Sequence, residues 1–224
     1  ERSSGRDHPN VATSLGNLGL LLRGQGAYAE ARPLFERALA IREAKLGSEH
    51  PEVGTALANF ADLLMAQGEY VEARPLLERA VRIHERALGA THPSLATSLT
   101  ALARDLEAQG AFAEAEPLLD RALAIRDRVL GKDHPDVAAS LDARAWYLRR
   151  RGRRGEARAA FERALEIRER AFGGEHAVVA ASLASLASLL EAEGSIPQAH
   201  ELFARSLSST VTSARAQFAA LSPQ

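Results

Sequence analysis

The sequence predicts an all-α fold, a solenoid of antiparallel helix pairs, and three observations predict it. A histidine recurs every 42 residues, at His8, His50, His92, His134 and His176, and a glycine stands three residues ahead of each, at Gly5, Gly47, Gly89, Gly131 and Gly173. Within every unit Leu15, Leu57, Leu99, Leu141 and Leu183 recur in step, as do Gly26, Gly68, Gly110, Gly152 and Gly194, and Ala31, Ala73, Ala115, Ala157 and Ala199. Self-similarity at such a period marks an array whose units bury their apolar faces only by stacking. The composition is dominated by alanine, leucine, glutamate and arginine, all good helix formers. Between the punctuating glycines the apolar residues keep helical spacing.

Five repeats follow, at about 5–46, 47–88, 89–130, 131–172 and 173–207, read as one repeat domain over 1–224. The second repeat shows the plan. Pro51 suits the first turn of a helix, which makes His50 the N-cap. Val53, Leu57, Phe60, Ala61 and Leu64 draw one apolar stripe along that helix, and Gly68 ends it. After the turn Gly68-Glu69-Tyr70 a second helix carries Ala73, Leu77, Ala80, Val81 and Ile83 to Gly89, a C-terminal glycine. Pro33, Pro75 and Pro117 fall in roughly the first turn of their second helices. The small pairs Gly19 with Ala31, Ala61 with Ala73, Ala103 with Ala115, Ala145 with Ala157 and Ala187 with Ala199 let the two helices of each pair approach to the ~8–10 Å at which ridges interlock.

Two repeats depart from the plan. In the fourth, Arg144 replaces Leu18, Phe60, Leu102 and Leu186, and Arg154 replaces Tyr28, Tyr70, Phe112 and Ile196. In the fifth, Ala177 replaces the proline, and Ser206, Ser209 and Thr210 replace alanine, isoleucine and a basic residue. A polar terminal unit suits a capped array, so 206–221 reads as a closing helix.

The run Leu57, Phe60, Ala61, Leu64, Gly68, Tyr70, Ala73, Leu77 and Ala80 resembles the tetratricopeptide repeat, whose usual unit is ~34 residues. The phrase Leu130 to Val137 and the run Arg121 to Arg126 resemble the 42-residue variety of kinesin light chains and bacterial multidomain proteins. The resemblance covers nearly the whole chain. It implies a right-handed superhelix whose first helices line a groove for a peptide segment. In that groove it implies that Asn17 and Asn59 hold ligand backbone, each amide offering a donor and an acceptor. Arg23, Arg104, Arg149 and Arg150 would select negative charge beside Asp62. Trp146, the only tryptophan, either anchors an apolar ligand side chain or packs inward beside Arg144. Arg151, Arg153 and Arg154 add an anion patch on the rim.

No catalytic constellation emerges. Equivalent histidines in stacked repeats lie on the order of 16–20 Å apart, too far to share one metal. His84 and His200 read as surface residues. Glu36, Glu78, Asp120 and Glu162 repeat beside Arg37, Arg79, Arg121 and Arg163, as exposed charge pairs do. The chain has no cysteine, so thiolate chemistry is excluded, and no cofactor, metal or enzymatic activity is expected. The expected partner is a protein or peptide, acidic in keeping with the arginines, and two alternatives stand beside it. One is a structural or regulatory arm that self-associates or restrains another domain of the same chain. The other is nucleic acid, which fits poorly, because the net charge is -1 and no aromatic residues interleave the basic ones. No run of ~20 apolar residues suggests a membrane span. The chain opens on Glu1 and enters a repeat within ten residues, which reads as a piece of a longer cytoplasmic protein.

Overall fold

Ten α-helices make up the described residues, 8–221 of the computed structural model, with side chains described as far as residue 215. They are α1 (Pro9–Gly24), α2 (Tyr28–Leu46), α3 (Pro51–Gln67), α4 (Tyr70–Leu88), α5 (Pro93–Ala108), α6 (Phe112–Leu130), α7 (Pro135–Arg150), α8 (Arg154–Phe172), α9 (Ala177–Ala192) and α10 (Ile196–Leu221). Odd helices open the pairs and even helices close them. Where the sequence reads one domain over 1–224, packing divides the chain into two compact units, Glu1–Ile125 and Arg126–Gln224. Repeats in an array contact only their neighbours, so no single core gathers them.

The repeat histidines are N-caps, as their place before proline predicts. Each ring Nδ1 accepts a hydrogen bond from the backbone N–H two residues on, at 3.2 Å for His8 and His50, 3.1 Å for His92 and His134, and 3.3 Å for His176. His176 does so with Ala177 in place of proline, so the histidine alone suffices to start α9. At the other end of α3, Gly68 takes a left-handed conformation, φ 83° and ψ 9°, that a side chain would resist. Pro33, Pro75 and Pro117 sit at the sixth residue of their helices, deeper than the first turn that the sequence implies. The carbonyl that loses its partner at Pro75 belongs to Val71, which is 85% exposed, so water can replace the bond.

Small residues bring each pair together as expected. Ala61 and Ala73 are wholly buried, as are Ala103 and Ala115, Ala145 and Ala157, and Ala187 and Ala199. At Gly19 an added Cβ would come within 2.9 Å of the Phe35 ring. Successive repeats then join by insertion. Leu39 of α2 packs against the buried Val53, Leu57, Ala80 and Ile83 of the second repeat. One period later, Val81 of α4 packs against Leu95, Ala96, Leu99, Ala122 and Ile125 of the third.

A polar latch accompanies the insertion. His84 Nδ1 lies 2.8 Å from Ser98 Oγ, Arg126 donates to Ser140, and Arg168 donates to Ser182 at 2.5 Å. Each partner lies 14 residues further on, in the next first helix. His84 is therefore not the surface residue its isolation implies; it is 2% exposed. Space for the ring comes from Gly54, where the other repeats have Ala12, Ala96, Ala138 and Ala180, and where a Cβ would meet Nε2 at 2.7 Å. Nε2 faces the Pro51 carbonyl at 3.1 Å, which leaves Nδ1 to accept from Ser98 in the neutral ring. Burial lowers the His84 pKa, and the nearby His92 adds to the effect.

Asp105 is a second polar intrusion. It is wholly buried where the frame otherwise holds Leu21, Leu63, Tyr147 and Leu189. Gln109 Nε2 donates to its Oδ2 at 2.6 Å, but among the described residues Oδ1 has no partner. Burial pushes its pKa up, against the hydrogen bond from Gln109.

The C-terminal stretch differs from the expected closing helix at 206–221. α10 is one continuous 26-residue helix, and that stretch is its later part. Ser206 and Ser209 turn back into their own repeat, where they donate to the carbonyls of Ala180 and Gly174, each at 2.8 Å. Ser206 and Ser209 are therefore internal hydrogen-bond donors, whereas Thr210 is exposed and donates along its own helix to Ser206.

Three substitutions test this packing. Ala73→Leu should lower stability by about 1–3 kcal/mol in a thermal melt, since the helix pair has no room for it. Asp105→Leu should raise stability by about 1–3 kcal/mol by removing the orphan acceptor. Because folding raises the Asp105 pKa, the protonated acid contributes stability below the ordinary carboxyl range and loses it as pH rises through the raised value. The leucine's advantage in Tm should thus be widest near neutrality and narrow in acid. For His84 the sign reverses. Its lowered pKa gives stability that is present above about pH 6.5 and lost as pH falls through the folded value, so His84→Gln should flatten the acid-side decline of Tm.

Candidate functional site

The residues assigned to a groove stand on the first helices, and each unit presents its own set. In the first unit Asn17 on α1 is exposed and Asn59 on α3 is half-buried. Among the described residues no side-chain hydrogen bond engages either amide, so both keep a donor and an acceptor for a ligand. Arg23 on α1 and Asp62 on α3 lie on a common face, for they pair at 3.3 Å with about a third of each side chain exposed. Arg23 is thus partly neutralised by its neighbour. A guanidinium already held by a carboxylate selects anions less well. Arg104 on α5 is exposed and makes no ion pair among the described residues.

In the second unit Trp146 on α7 is packed on one side and open on another. Its ring packs edge-on against Phe161 of α8, with centroids 5.3 Å apart and planes at 81°, and it remains 39% exposed. The guanidinium of Arg149, one turn on, lies 4.9 Å from the ring centre, a cation–π contact. The tryptophan is therefore anchored from behind, covered on one side by arginine, and open to solvent. Arg149 is half-buried and Arg150 exposed, and neither makes an ion pair among the described residues.

The rim patch is smaller than the sequence implies. Arg153 grips Glu156 through two contacts of 2.7 Å, and holds that carboxyl below its usual pKa. Arg151 is also engaged, which leaves the exposed Arg154 at the start of α8. Asp142 on α7 is held by Arg168 at 2.5 Å while burial pushes its pKa up. Thr13 and Thr55 are likewise reached by second-helix side chains, Arg42 at 3.5 Å and His84 at 3.4 Å. These positions form joints within the repeats, not free groove wall.

What sequence reasoning missed is the class of residues 42, 84, 126 and 168. Its signal was present, in a serine 14 residues after each of the last three and in the glycine that appears at 54 only where histidine replaces arginine. Most other arginines are matched to carboxylates. Arg32 binds Glu36, Glu69 and Glu72, Arg74 binds Glu78 and Glu114, and Arg79, Arg121 and Arg205 reach back to Glu43, Glu85 and Glu169 of the preceding repeat. Among the described residues no helix is long and apolar enough to cross a membrane, and no three His, Asp or Glu side chains converge as a metal site.

Family models described as tetratricopeptide repeat match residues 11–52, 52–127, 105–170 and 148–209. No curated protein matches the chain. Among solved structures, one from Podosopora anserina, described as a kinesin light chain with nearly identical TPR-like repeats, is 31% identical with a TM-score of 0.70, over 92% of this chain and 97% of that one. BtubC (BKLC) from P. vanneervenii shares the fold at 21% identity and a TM-score of 0.74, over 96% of this chain and 84% of that one. A Rap protein complexed with Competence and Sporulation Factor shares it at 17% identity and a TM-score of 0.75, over 86% of this chain and 52% of that one. With the repeat frame, the paired helices and these matches in agreement, the chain belongs to the tetratricopeptide repeat family.

Proposed function

We propose that the chain is a protein-interaction module that holds an acidic peptide segment against its first helices. One observation carries the reading most. Trp146 stands exposed beside Phe161 and Arg149, and among the described residues Arg149 and Arg150 make no ion pair whereas most other arginines do. An exposed aromatic ring flanked by unneutralised guanidinium groups suits a peptide that brings an apolar side chain next to carboxylates. In the first unit the unengaged amides of Asn17 and Asn59 suit the backbone of an extended segment, and Arg104 supplies a further cation. The mechanism is presentation: the packed second helices fix the first helices, and the ligand adds contacts without chemistry. Such a module works in the cytoplasm as a scaffold.

Titration with acidic and neutral peptides, followed by Trp146 fluorescence, tests the reading. Acidic peptides should give a saturable spectral shift that weakens as salt screens the arginines. Calorimetry of Trp146→Ala with the same peptide should show affinity lower by roughly tenfold or more, and Asn59→Ala a smaller loss. An unresponsive tryptophan together with unchanged affinity in the Asn59→Ala, Trp146→Ala double variant would reject the groove.

A further inference from the structure

The third repeat carries an acid where the frame otherwise puts an apolar side chain. Asp105 stands in place of Leu21, Leu63, Tyr147 and Leu189, and it is wholly buried. Its Oδ1 has no partner among the described residues, and neither has the buried Oε1 of Gln67 at the end of α3. A buried acceptor left unsatisfied lowers the stability of the free chain, so two of them close to one cavity point to a donor from outside.

That cavity is open and measures about 550 Å³. One wall is the turn from Gly68 to Glu72, which Gln67 directly precedes, and the other is Ala108 and Gln109 at the end of α5. Tyr70 and Val71 give it apolar surface, and Glu69 and Glu72 bring carboxylates. Gln109 connects the cavity to the buried acid, for this residue lines the one and its amide donates to Oδ2 of the other at 2.6 Å. Charge nearby is negative in balance. Arg32 is shared among Glu36, Glu69 and Glu72, and Arg74 between Glu78 and Glu114.

We propose that this cavity receives a lysine side chain from a partner protein, whose ammonium group reaches Asp105. The aliphatic stem lies against Tyr70, Val71 and Ala108, and the charged head passes the carboxylates of the turn. Of its three N–H donors one meets Asp105 Oδ1 and another Gln67 Oε1, which supplies both missing partners while Gln109 keeps Oδ2. An arginine fork would need both oxygens of the carboxylate, and one is already taken, so the point charge of lysine suits the place better. The arriving cation favours the ionised acid, so any proton on Asp105 leaves to solvent as the ion pair forms. No other repeat has an acid at this position, so the pocket belongs to the third repeat alone. The inference does not rest on the acidic-peptide reading, which uses other residues.

Nuclear magnetic resonance titration of the chain with Nα-acetyl-lysine methylamide tests it, with the Nε-acetylated form as the uncharged control. The charged probe should shift the backbone amides of Gly68 and Gln109 and the Gln109 side-chain amide in a saturable way. It should also keep the Asp105 carboxyl carbon at its ionised shift to a lower pH than in the free chain. The acetylated probe should leave these signals in place. Asp105→Leu should melt higher than the parent yet bind the charged probe roughly tenfold or more weakly. Asp105→Asn, which keeps the shape and the Oδ1 acceptor without the charge, should show the same loss. Equal shifts from both probes, no saturable shift from the charged one, or variants that bind it like the parent would each overturn the proposal.

Discussion

Insertion of an aliphatic side chain, Leu39 and then Val81, into the apolar cluster of the next pair is the contact on which the first unit depends. A helix pair of about 40 residues encloses too little apolar surface to be stable by itself. Its inner stripe is covered only when Leu39, or Val81 one period later, fills the space between the first and second helices of the following repeat. The close approach at Ala61 and Ala73 sets the width of that space, and the histidine caps set where each first helix begins. Positions on the first helices of that unit are thereby held at fixed separations.

The latch from each second helix to the next first helix refines this joint. Arginine can bridge it through its several donors, as Arg168 does between Asp142 and Ser182. In the second repeat histidine performs the bridge as a neutral, buried ring, and a methyl group is removed at Gly54 to admit it. The two substitutions make sense only together. Alanine at 54 would collide with the ring, and histidine at an arginine site would otherwise leave its nitrogens unpaired in the core.

Charge is distributed by the same logic. Many arginines on second helices are matched to carboxylates on the same or adjoining repeats, each pair contributing little by itself in solvent. Arg149 and Arg150 beside Trp146 stand apart from that pattern, and so do the amides of Asn17 and Asn59 from the pattern of satisfied polar groups. Polar groups that internal packing does not use are the ones available to a partner.

Much of the fold was legible in the sequence because its determinants are local and periodic. The capping histidines, the left-handed glycines and the alanine contacts each depend on neighbours a fixed number of residues away, and five repetitions separate such signals from chance. The sequence by itself therefore determined the helix pairs, their boundaries to within a turn, and which residues lie on the first helices. Only the tertiary structure decided what those residues touch. It paired Arg23 with Asp62 and Arg153 with Glu156, buried His84 and Asp105, and set Trp146 on edge against Phe161. These outcomes rest on contacts between helices, where a few ångströms of packing distance separate an exposed cation from a neutralised one and a surface ring from a buried one.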